Sequence, residues 1–371
     1  MTPLGAFLAE RIRERGPITF AEYMEACLYH PQYGYYAKLG QQPRRDYFTS
    51  VDVSPLFGRL LARQFEEMWV QLGRPDPFWL IEAGAGIGSL AKCVLDFVAE
   101  SFPDFYAAVR YIAVERSEAR RLAQPRLLKQ HAELGRFSFG AKPPTEIAVG
   151  CIFSNELLDA MPVHRVFEER RKLRELYVAV EGGGFCDQPG SLSSPRISEY
   201  FAEQTIVLHE GQQAEAGLAA CDWVRDAGNR LRCGFVLSID YGREARELYN
   251  EQHMRGTLLA YDRHRASEEL YRAPGEQDLT AHVNFTALEL WGKGSGLTRT
   301  GLTTQSSFLL ALARRSNFVD LEIAGAGEQE KLSARLLFKT LIHPEGMGET
   351  FQVFIQHKGI ESPRLTGLEP L

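Results

Sequence analysis

The chain has 371 residues, of which 44% are hydrophobic and 24% are charged, a composition typical of a globular protein with a large core. Its 42 Lys and Arg residues against 48 Asp and Glu residues give a net charge of −6, so no global positive field favours a nucleic-acid partner. Collagen-like and disordered classes are excluded by the same composition.

The N-terminal segment begins with a predicted amphipathic helix. Leu4, Leu8 and Ile12 recur every four residues among charged residues, which indicates a helix docked on the surface. Neither a signal-peptide core nor a run of about 20 apolar residues occurs, so we expect no membrane insertion. The six cysteines form no C-x-x-C pair, as is typical of reduced thiols. We therefore expect a protein of the cytosol.

Apolar runs alternate with helical patterns after Pro75 and Pro77, which end the N-terminal segment. Four runs have the length and composition of buried parallel strands, namely 78–83, 111–115, 149–154 and 234–239. Helical patterns follow at 87–98 and from Ser117. This order predicts an α/β fold with a doubly wound, mostly parallel sheet, in which ligands bind at the carboxyl ends of the strands.

Two segments interrupt this alternation. Residues 162–180 alternate like a β-hairpin, and residues 242–277 form a polar insertion. We therefore predict an N-terminal helical segment at 1–74, a main α/β domain at 75–358 and a tail at 359–371. The tail has turn residues and no periodicity, so we expect it to fray or to lie on the surface.

A glycine-rich turn joins the first buried strand to its helix. It contains three glycines at alternate positions, Gly84, Gly86 and Gly88. Glycines let a backbone approach a ligand closely and place helix-start N–H groups against it. Ser89 occupies the place where a dinucleotide fingerprint has its third glycine. The spacing, with Glu82 two residues upstream, is instead similar to motif I of class I S-adenosylmethionine methyltransferases; a tight turn without a ligand is the alternative.

Glu115 ends the next buried strand. Both NAD-binding and adenosylmethionine-binding proteins keep an acid at this place, where it accepts hydrogen bonds from ribose hydroxyls. We therefore predict that Glu115 binds the cofactor. The alternative is a solvated carboxylate at the end of a strand.

Segments from one end of the chain to the other extend the resemblance. They are, in order, 16–24, 29–36, 46–50, 154–163, 239–242, 274–283 and 341–349. On these segments the chain resembles the MidA family of class I methyltransferases, relatives of a mitochondrial complex I assembly factor that methylates protein arginine. The resemblance implies S-adenosylmethionine as the methyl donor and an N-terminal segment that forms a lid over it. It also implies cofactor contacts by Thr49, Ser54 and Asn155. The family's eukaryotic members imply mitochondria, but no Arg- and Ser-rich stretch precedes the matched region, so we expect a bacterial cytoplasmic location, or a mitochondrial one if a presequence is missing from this chain.

Side chains after the third buried strand are the candidates for acceptor chemistry. Glu156 stands where other arginine methyltransferases have a glutamate that grips the guanidinium, which is always protonated and needs a carboxylate to orient it. Asp159 is the candidate second carboxylate. The alternative is that Glu156 caps a helix beginning at Leu157 and that Asp159 supports its first turn.

Two further catalytic candidates lie in matched segments. Asp240 either faces the same cleft or forms a structural hydrogen bond to the following turn. His282 is either a proton acceptor or substrate contact, or a structural histidine. The nine histidines form no H-x-x-x-H cluster, so no metal site is predicted.

These patterns together predict an S-adenosylmethionine-dependent methyltransferase acting on arginine in a protein, with a respiratory-complex subunit as one such substrate. One alternative is an assembly chaperone that binds the cofactor without essential catalysis. Another is a small-molecule methyltransferase. The identity of the acceptor, the degree of methylation and the oligomeric state are left open.

Overall fold

The computed structural model describes residues 1–38, 55–262, 265–319 and 327–370. The predicted cofactor contacts Thr49 and Ser54 therefore lie outside the described residues. The described residues form two compact units. The first draws on 1–47, 158–224 and 242–291, and the second on 48–157, 225–241 and 292–371. This grouping cuts the chain differently from the predicted segments 1–74 and 75–358.

The helices and strands have the following bounds. The helices are α1 (Pro3–Arg15), α2 (Phe20–Tyr29), α3 (Tyr35–Lys38), α4 (Pro55–Gln71), α5 (Ser89–Ser101), α6 (Pro103–Ala108), α7 (Glu118–Arg121), α8 (Gln124–Leu127), α9 (Lys129–Glu133), α10 (Pro195–Glu203), α11 (Leu218–Arg230), α12 (Ala245–Leu248), α13 (Phe285–Lys293), α14 (Gln305–Arg315) and α15 (Glu328–Ile342), with a π-helical turn at Pro344–Gly348 and a 3₁₀ helix at Thr366–Leu368. The strands are β1 (Ile18–Thr19), β2 (Phe78–Ala83), β3 (Val109–Val114), β4 (Phe137–Gly140), β5 (Ile147–Asn155), β6 (His164–Glu169), β7 (Lys172–Glu181), β8 (Gly184–Gly190), β9 (Gln213–Ala216), β10 (Leu231–Arg243), β11 (Leu259–Asp262), β12 (Arg265–Ser267), β13 (Asp278–Thr280), β14 (Val283–Asn284), β15 (Thr298–Thr304) and β16 (Phe351–Lys358). None of these helices is long and apolar enough to cross a bilayer.

The second unit is built around a sheet with the spatial order β4-β3-β2-β5-β10-β16-β15. The pairs from β4 to β10 are parallel, and β16 runs antiparallel to both of its neighbours. This is the mostly parallel α/β sheet that the four apolar runs predict. From β2, the next strands in the chain, β3 and β4, lie on one side of it. The strand that follows them, β5, lies on its other side and is followed there by β10. The topological switch point therefore lies between β2 and β5, where open α/β sheets bind their ligands.

Helices pack on this sheet through large apolar side chains. The ring of Phe65 in α4 packs against that of Phe153 in β5 with a centroid separation of 4.8 Å. Phe153 also contacts Tyr111 of β3 edge-on. All three side chains are fully buried, so the core fixes the positions of β3 and β5 beneath the switch point.

The first unit contains two antiparallel sheets. One has the order β1-β7-β6-β9 with β8 paired to β7, and the other has the order β12-β11-β13. The β6–β7 pair is the hairpin that the alternation in 162–180 predicts, and both turn residues, Arg170 and Arg171, have left-handed backbones (φ 53° and 61°). The predicted N-terminal helix is α1, which buries Leu4, Leu8 and Ile12 in this unit's core.

Residues 365–368 of the C-terminal tail dock on α4, so of the two alternatives predicted for the tail, fraying does not apply to this part of it. Thr366 donates to the Glu67 carboxylate through its backbone N–H and its hydroxyl, at 2.9 and 2.7 Å. The Gly367 N–H donates to Gln64 Oε1 at 3.0 Å, and Leu365 is buried. Turn-rich composition concealed this docking because the partners on α4 are about 300 residues away in sequence.

From the docking of the tail we predict an effect of shortening the chain on its free energy of unfolding. A chain that ends at Pro363 loses the burial of Leu365 and the bonds to Glu67, and we expect its free energy of unfolding to fall by about 3 kcal/mol. A chain that ends at Leu368 keeps both interactions and is the matched control. Urea denaturation measures the difference, and equal stability of the two shortened chains would contradict the docking.

Candidate active site

The turn after β2 has a backbone that only glycine adopts easily. Gly84, Gly86 and Gly88 all have positive φ, at 76°, 56° and 88°. A Cβ atom on Gly84 would lie 2.9 Å from Leu157 Cδ1, and one on Gly88 would lie 2.9 Å from Leu128 Cδ1. The left-handed backbone therefore favours glycine at all three positions, the leucine contacts add to this at Gly84 and Gly88, and α5 begins immediately after the turn.

Glu115 faces this turn. Its Oε2 accepts from the Gly86 N–H at 2.9 Å, and its Oε1 accepts from the Ser117 N–H at 2.7 Å. The side chain is buried, so the alternative of a solvated carboxylate is wrong. A carboxylate has about four acceptor positions, so Glu115 keeps acceptor capacity for further donors beside the turn.

Gln124 binds the next peptide of the turn, the one between Gly86 and Ile87, and no sequence pattern singled it out. Its Nε2 donates to the Gly86 carbonyl at 2.8 Å, and the side chain is fully buried. A glutamine in a short, polar helical segment carries no local sign of burial. Only the three-dimensional packing of α8 against the turn reveals it.

Glu82 lies below the turn, near the end of β2. Tyr111 donates its hydroxyl to Glu82 Oε2 at 2.6 Å. Burial raises the pKa of Glu82 to about 7 and outweighs the opposing effect of this hydrogen bond, while the negative charge of Glu115 adds to the rise. Burial and the neighbouring carboxylate also hold the pKa of Tyr111 well above its ordinary value. Glu82 therefore titrates near neutral pH, whereas an exposed glutamate does not.

The end of β5 bends sharply at Glu156. This residue has a left-handed backbone, with φ 53°, and its N–H donates to the Ile239 carbonyl at 3.0 Å. Asn155 donates its side-chain amide to Glu156 Oε1 at 3.2 Å. Residues 156–163 form bends and turns, so the alternative in which Glu156 caps a helix beginning at Leu157 is wrong. Asn155 and Glu156 thus lie at the carboxyl end of β5, on one side of the switch point, and the glycine turn follows β2 on the other.

Asp240 supports this bend from the neighbouring strand β10. Its Oδ2 accepts from the Leu157 N–H at 3.1 Å and its Oδ1 accepts from the Tyr241 N–H at 3.0 Å. The side chain is fully buried. These bonds to backbone fix the residue after Glu156, and the role of Asp240 in the cleft stays a prediction.

Asp159 and His282 belong to the first unit. The structure brings their segments together, because the Ala281 N–H donates to the Asp159 carbonyl at 3.0 Å. The His282 backbone N–H donates to Thr257 Oγ1 at 3.0 Å, and its side chain lines a small cavity with Glu215. Burial, with added repulsion from His253 and Arg243, lowers the pKa of His282 to about 4. Its imidazole is therefore neutral at physiological pH.

The second unit also contains buried polar atoms that have no partner among the described residues. They are Gln124 Oε1, Ser154 Oγ and Asn155 Oδ1. Buried polar groups are normally hydrogen-bonded, so atoms of this kind beside a ligand crevice indicate donors supplied by a bound molecule or by water. The glycine cradle, the acceptor positions on Glu115 and these atoms together fit a polar nucleoside cofactor. No group of three or more His, Cys, Asp or Glu side chains that could hold a metal occurs within the described ranges.

Comparison with known proteins agrees with this fit. A family model described as "Putative S-adenosyl-L-methionine-dependent methyltransferase" matches residues 60–303, more than half of the chain. A Burkholderia thailandensis protein with a crystal structure bound to S-adenosyl-homocysteine is 32% identical, with a TM-score of 0.87 over 98% of this chain and 94% of that one. The relative "Protein arginine methyltransferase NDUFAF7 homolog, mitochondrial" of Drosophila melanogaster is 26% identical over 96% of this chain and 85% of its own. The human "Protein arginine methyltransferase NDUFAF7, mitochondrial" is 24% identical over 98% and 86%.

Fold and site therefore define a class I methyltransferase, an enzyme that uses S-adenosylmethionine. Within that class, the chain belongs to the family whose model matches residues 60–303. This is the MidA family that the sequence resembles. The predicted fold class, enzyme class and cofactor are confirmed.

The raised pKa of Glu82 makes a prediction about stability and pH. The folded chain keeps a proton on Glu82 up to about pH 7, whereas the unfolded chain releases it near the ordinary pKa of 4.5. The stabilisation from this proton is complete below about pH 4.5 and is lost as the pH rises to about 7. Glu82→Gln cannot ionise and still accepts from Tyr111. We expect it to exceed the wild type in free energy of unfolding at pH 8 by about 3 kcal/mol.

Urea denaturation of both proteins between pH 5 and pH 8 measures this difference, which we expect to shrink toward the acid end of the range. Other titrating groups are common to the two chains, so they cancel in the comparison. Parallel pH profiles for wild type and variant would show that Glu82 is ionised throughout and would contradict the assignment.

Proposed function

We propose that this methyltransferase transfers a methyl group to the guanidinium of an arginine side chain in a protein. Two facts support the proposal. Relatives that cover almost the whole chain are named protein arginine methyltransferases. Glu156 places a carboxylate at the carboxyl end of β5, next to the switch point of the sheet.

The chemistry of the acceptor explains why a carboxylate is needed. A guanidinium is protonated at any physiological pH and its charge is delocalised over a planar fork of N–H donors. A carboxylate accepts two of those N–H groups at once and so fixes the plane and direction of the group. Glu156 would hold the guanidinium in this way and direct one nitrogen toward the methyl group.

The backbone strain at Glu156 is the observation that carries the proposal. A left-handed backbone costs a residue with a Cβ atom about 1 kcal/mol or more, and glycine or asparagine avoids most of that cost. A glutamate is nonetheless held there by bonds to Ile239 and, through Leu157, to Asp240. Strain of this kind persists where the surroundings over-determine it, and it concentrates at functional sites.

The remaining residues have supporting roles in this proposal. When bound, S-adenosylmethionine supplies an electrophilic methyl group on a sulfonium sulfur. Gly84, Gly86 and Gly88 admit the cofactor, and Glu115 accepts hydrogen bonds from its ribose. Asp240 acts as a positioning residue that keeps the Glu156 bend in place. Holding two reactants in line accounts for most of the acceleration that such a transfer needs.

Asp159 and His282 stay candidates for contact with the acceptor. A neutral imidazole with a pKa of about 4 accepts a hydrogen bond at neutral pH but is a weak proton acceptor. The proposal includes a protein as the methyl acceptor, for example a subunit of a respiratory complex. It also includes a cytoplasmic location.

Two substitutions at Glu156 test the proposal. Glu156→Gly relieves the left-handed strain, so we expect its free energy of unfolding to be unchanged or raised by up to about 1 kcal/mol. Glu156→Gln keeps the shape and removes the charge. Both should bind S-adenosylhomocysteine as the wild type does, yet form methylarginine at least about 100-fold more slowly, because an uncharged or absent side chain cannot hold the guanidinium.

The measurement uses radiolabelled S-adenosylmethionine and an extract of source cells that lack this protein, followed by acid hydrolysis and separation of methylated amino acids. Arg170→Gly is the matched control, since Arg170 has the same φ of 53° at an exposed hairpin turn. It should relieve strain without changing transfer.

Label in methylarginine that survives both Glu156 substitutions would remove Glu156 from the mechanism. Label confined to low-molecular-weight products would favour a small-molecule methyltransferase. Cofactor binding without any transfer would favour the assembly chaperone.

A further inference from the structure

We propose that Gln124 is a positioning residue for the cofactor: it holds the Gly86 peptide of the glycine turn in the orientation that leaves room for S-adenosylmethionine. The inference rests on the proposed cofactor site at the turn and does not depend on the identity of the acceptor.

The Gly86 residue is fixed by two side chains from different elements. Glu115, which follows β3, accepts from the Gly86 N–H at 2.9 Å. Gln124, the first residue of α8, donates to the Gly86 carbonyl at 2.8 Å. The N–H and the carbonyl of Gly86 are thus both bound to side chains. Neither of these hydrogen bonds is part of a helix or a strand ladder.

This double attachment restricts a backbone that glycine otherwise leaves free. Gly86 has φ 56°, and a glycine peptide rotates between conformations at little steric cost. In a trans peptide the carbonyl and the following N–H point in opposite directions. Holding the Gly86 carbonyl against Gln124 therefore turns the Ile87 N–H the other way and keeps a carbonyl dipole out of the crevice.

Packing alone does not explain a glutamine at this place. Leu128, one turn further along, packs against the same turn, because a Cβ atom on Gly88 would lie 2.9 Å from its Cδ1. Gln124 is fully buried, and its Oε1 has no partner within the described part of the chain. Burying an amide costs stability relative to an apolar side chain of the same shape, so packing does not account for the glutamine, and the bond to Gly86 is the hydrogen bond that its amide makes among the described residues.

Two substitutions of similar shape separate hydrogen bonding from packing. Gln124→Met keeps the volume and removes the donor, and we expect it to weaken S-adenosylhomocysteine binding about tenfold. Gln124→Glu, when ionised, places a negative oxygen against the Gly86 carbonyl, and we expect a loss of about 100-fold at pH 8. When protonated, the same carboxyl donates the original hydrogen bond.

The deciding readout is the pH dependence of binding, measured by titration calorimetry with S-adenosylhomocysteine between pH 5.5 and pH 8. The ratio of the Gln124→Glu dissociation constant to that of the wild type should fall from about 100 to about 3 as the pH decreases. The charged groups Glu82, Glu115 and Arg121 near the turn are present in the wild type, in Gln124→Glu and in the control, so the ratio removes the effects that are common to these proteins. Gln130→Glu, at an exposed position on α9, is the matched control and should bind as the wild type does throughout.

A further variant distinguishes the failure of this inference from the failure of the cofactor site. If Glu115→Ala binds S-adenosylhomocysteine as tightly as the wild type, the cofactor site at the turn is wrong. If Glu115→Ala weakens binding while Gln124→Met binds normally, the site stands and the role of Gln124 is overturned. If Gln124→Glu is as weak at pH 5.5 as at pH 8, relative to wild type, the residue acts by packing alone and the inference is also overturned. Gln124→Met decides the matter should Gln124→Glu fail to fold.

Discussion

The reversal of strand order between β2 and β5 is the constraint on which the rest of this structure depends. Chain order leaves β2 toward β4 on one side and continues from β5 toward β10 on the other, so the segments that follow β2 and β5 diverge. In open α/β sheets this divergence leaves a crevice at the carboxyl ends of the two strands. The glycine turn and the Glu156 bend are the two segments that border it.

Each border is held by side chains that bind backbone rather than one another. Glu115 and Gln124 fix Gly86, while Asp240 fixes the residue after Glu156. Such bonds cost less entropy to keep than contacts between flexible side chains, because one partner is already ordered. A transfer reaction that gains mainly from alignment needs this kind of rigidity on both sides of the reacting groups.

Local sequence signals sufficed for the parts of the site that are themselves local. The apolar run 78–83 predicts a strand, and the glycines that follow it predict a tight turn. The structure has both. Gln124 lacks such a signal, because its burial depends on a turn 38 residues earlier. At Leu157 the composition also suits a helix, which the sequence analysis gave as the alternative, but Glu156 and Leu157 bond to β10 and the chain bends there instead. Tertiary contacts overrode propensity there.

We propose that the cradle formed by the glycine turn and Glu115 holds the sulfonium nucleoside. A crystal structure of the protein grown with S-adenosylhomocysteine tests it most directly. We predict density for the nucleoside against residues 84–88, with the ribose hydroxyls within hydrogen-bond distance of the Glu115 carboxylate. Nucleoside density elsewhere, or a Glu115 side chain that binds only backbone while the ribose contacts other residues, would contradict the claim.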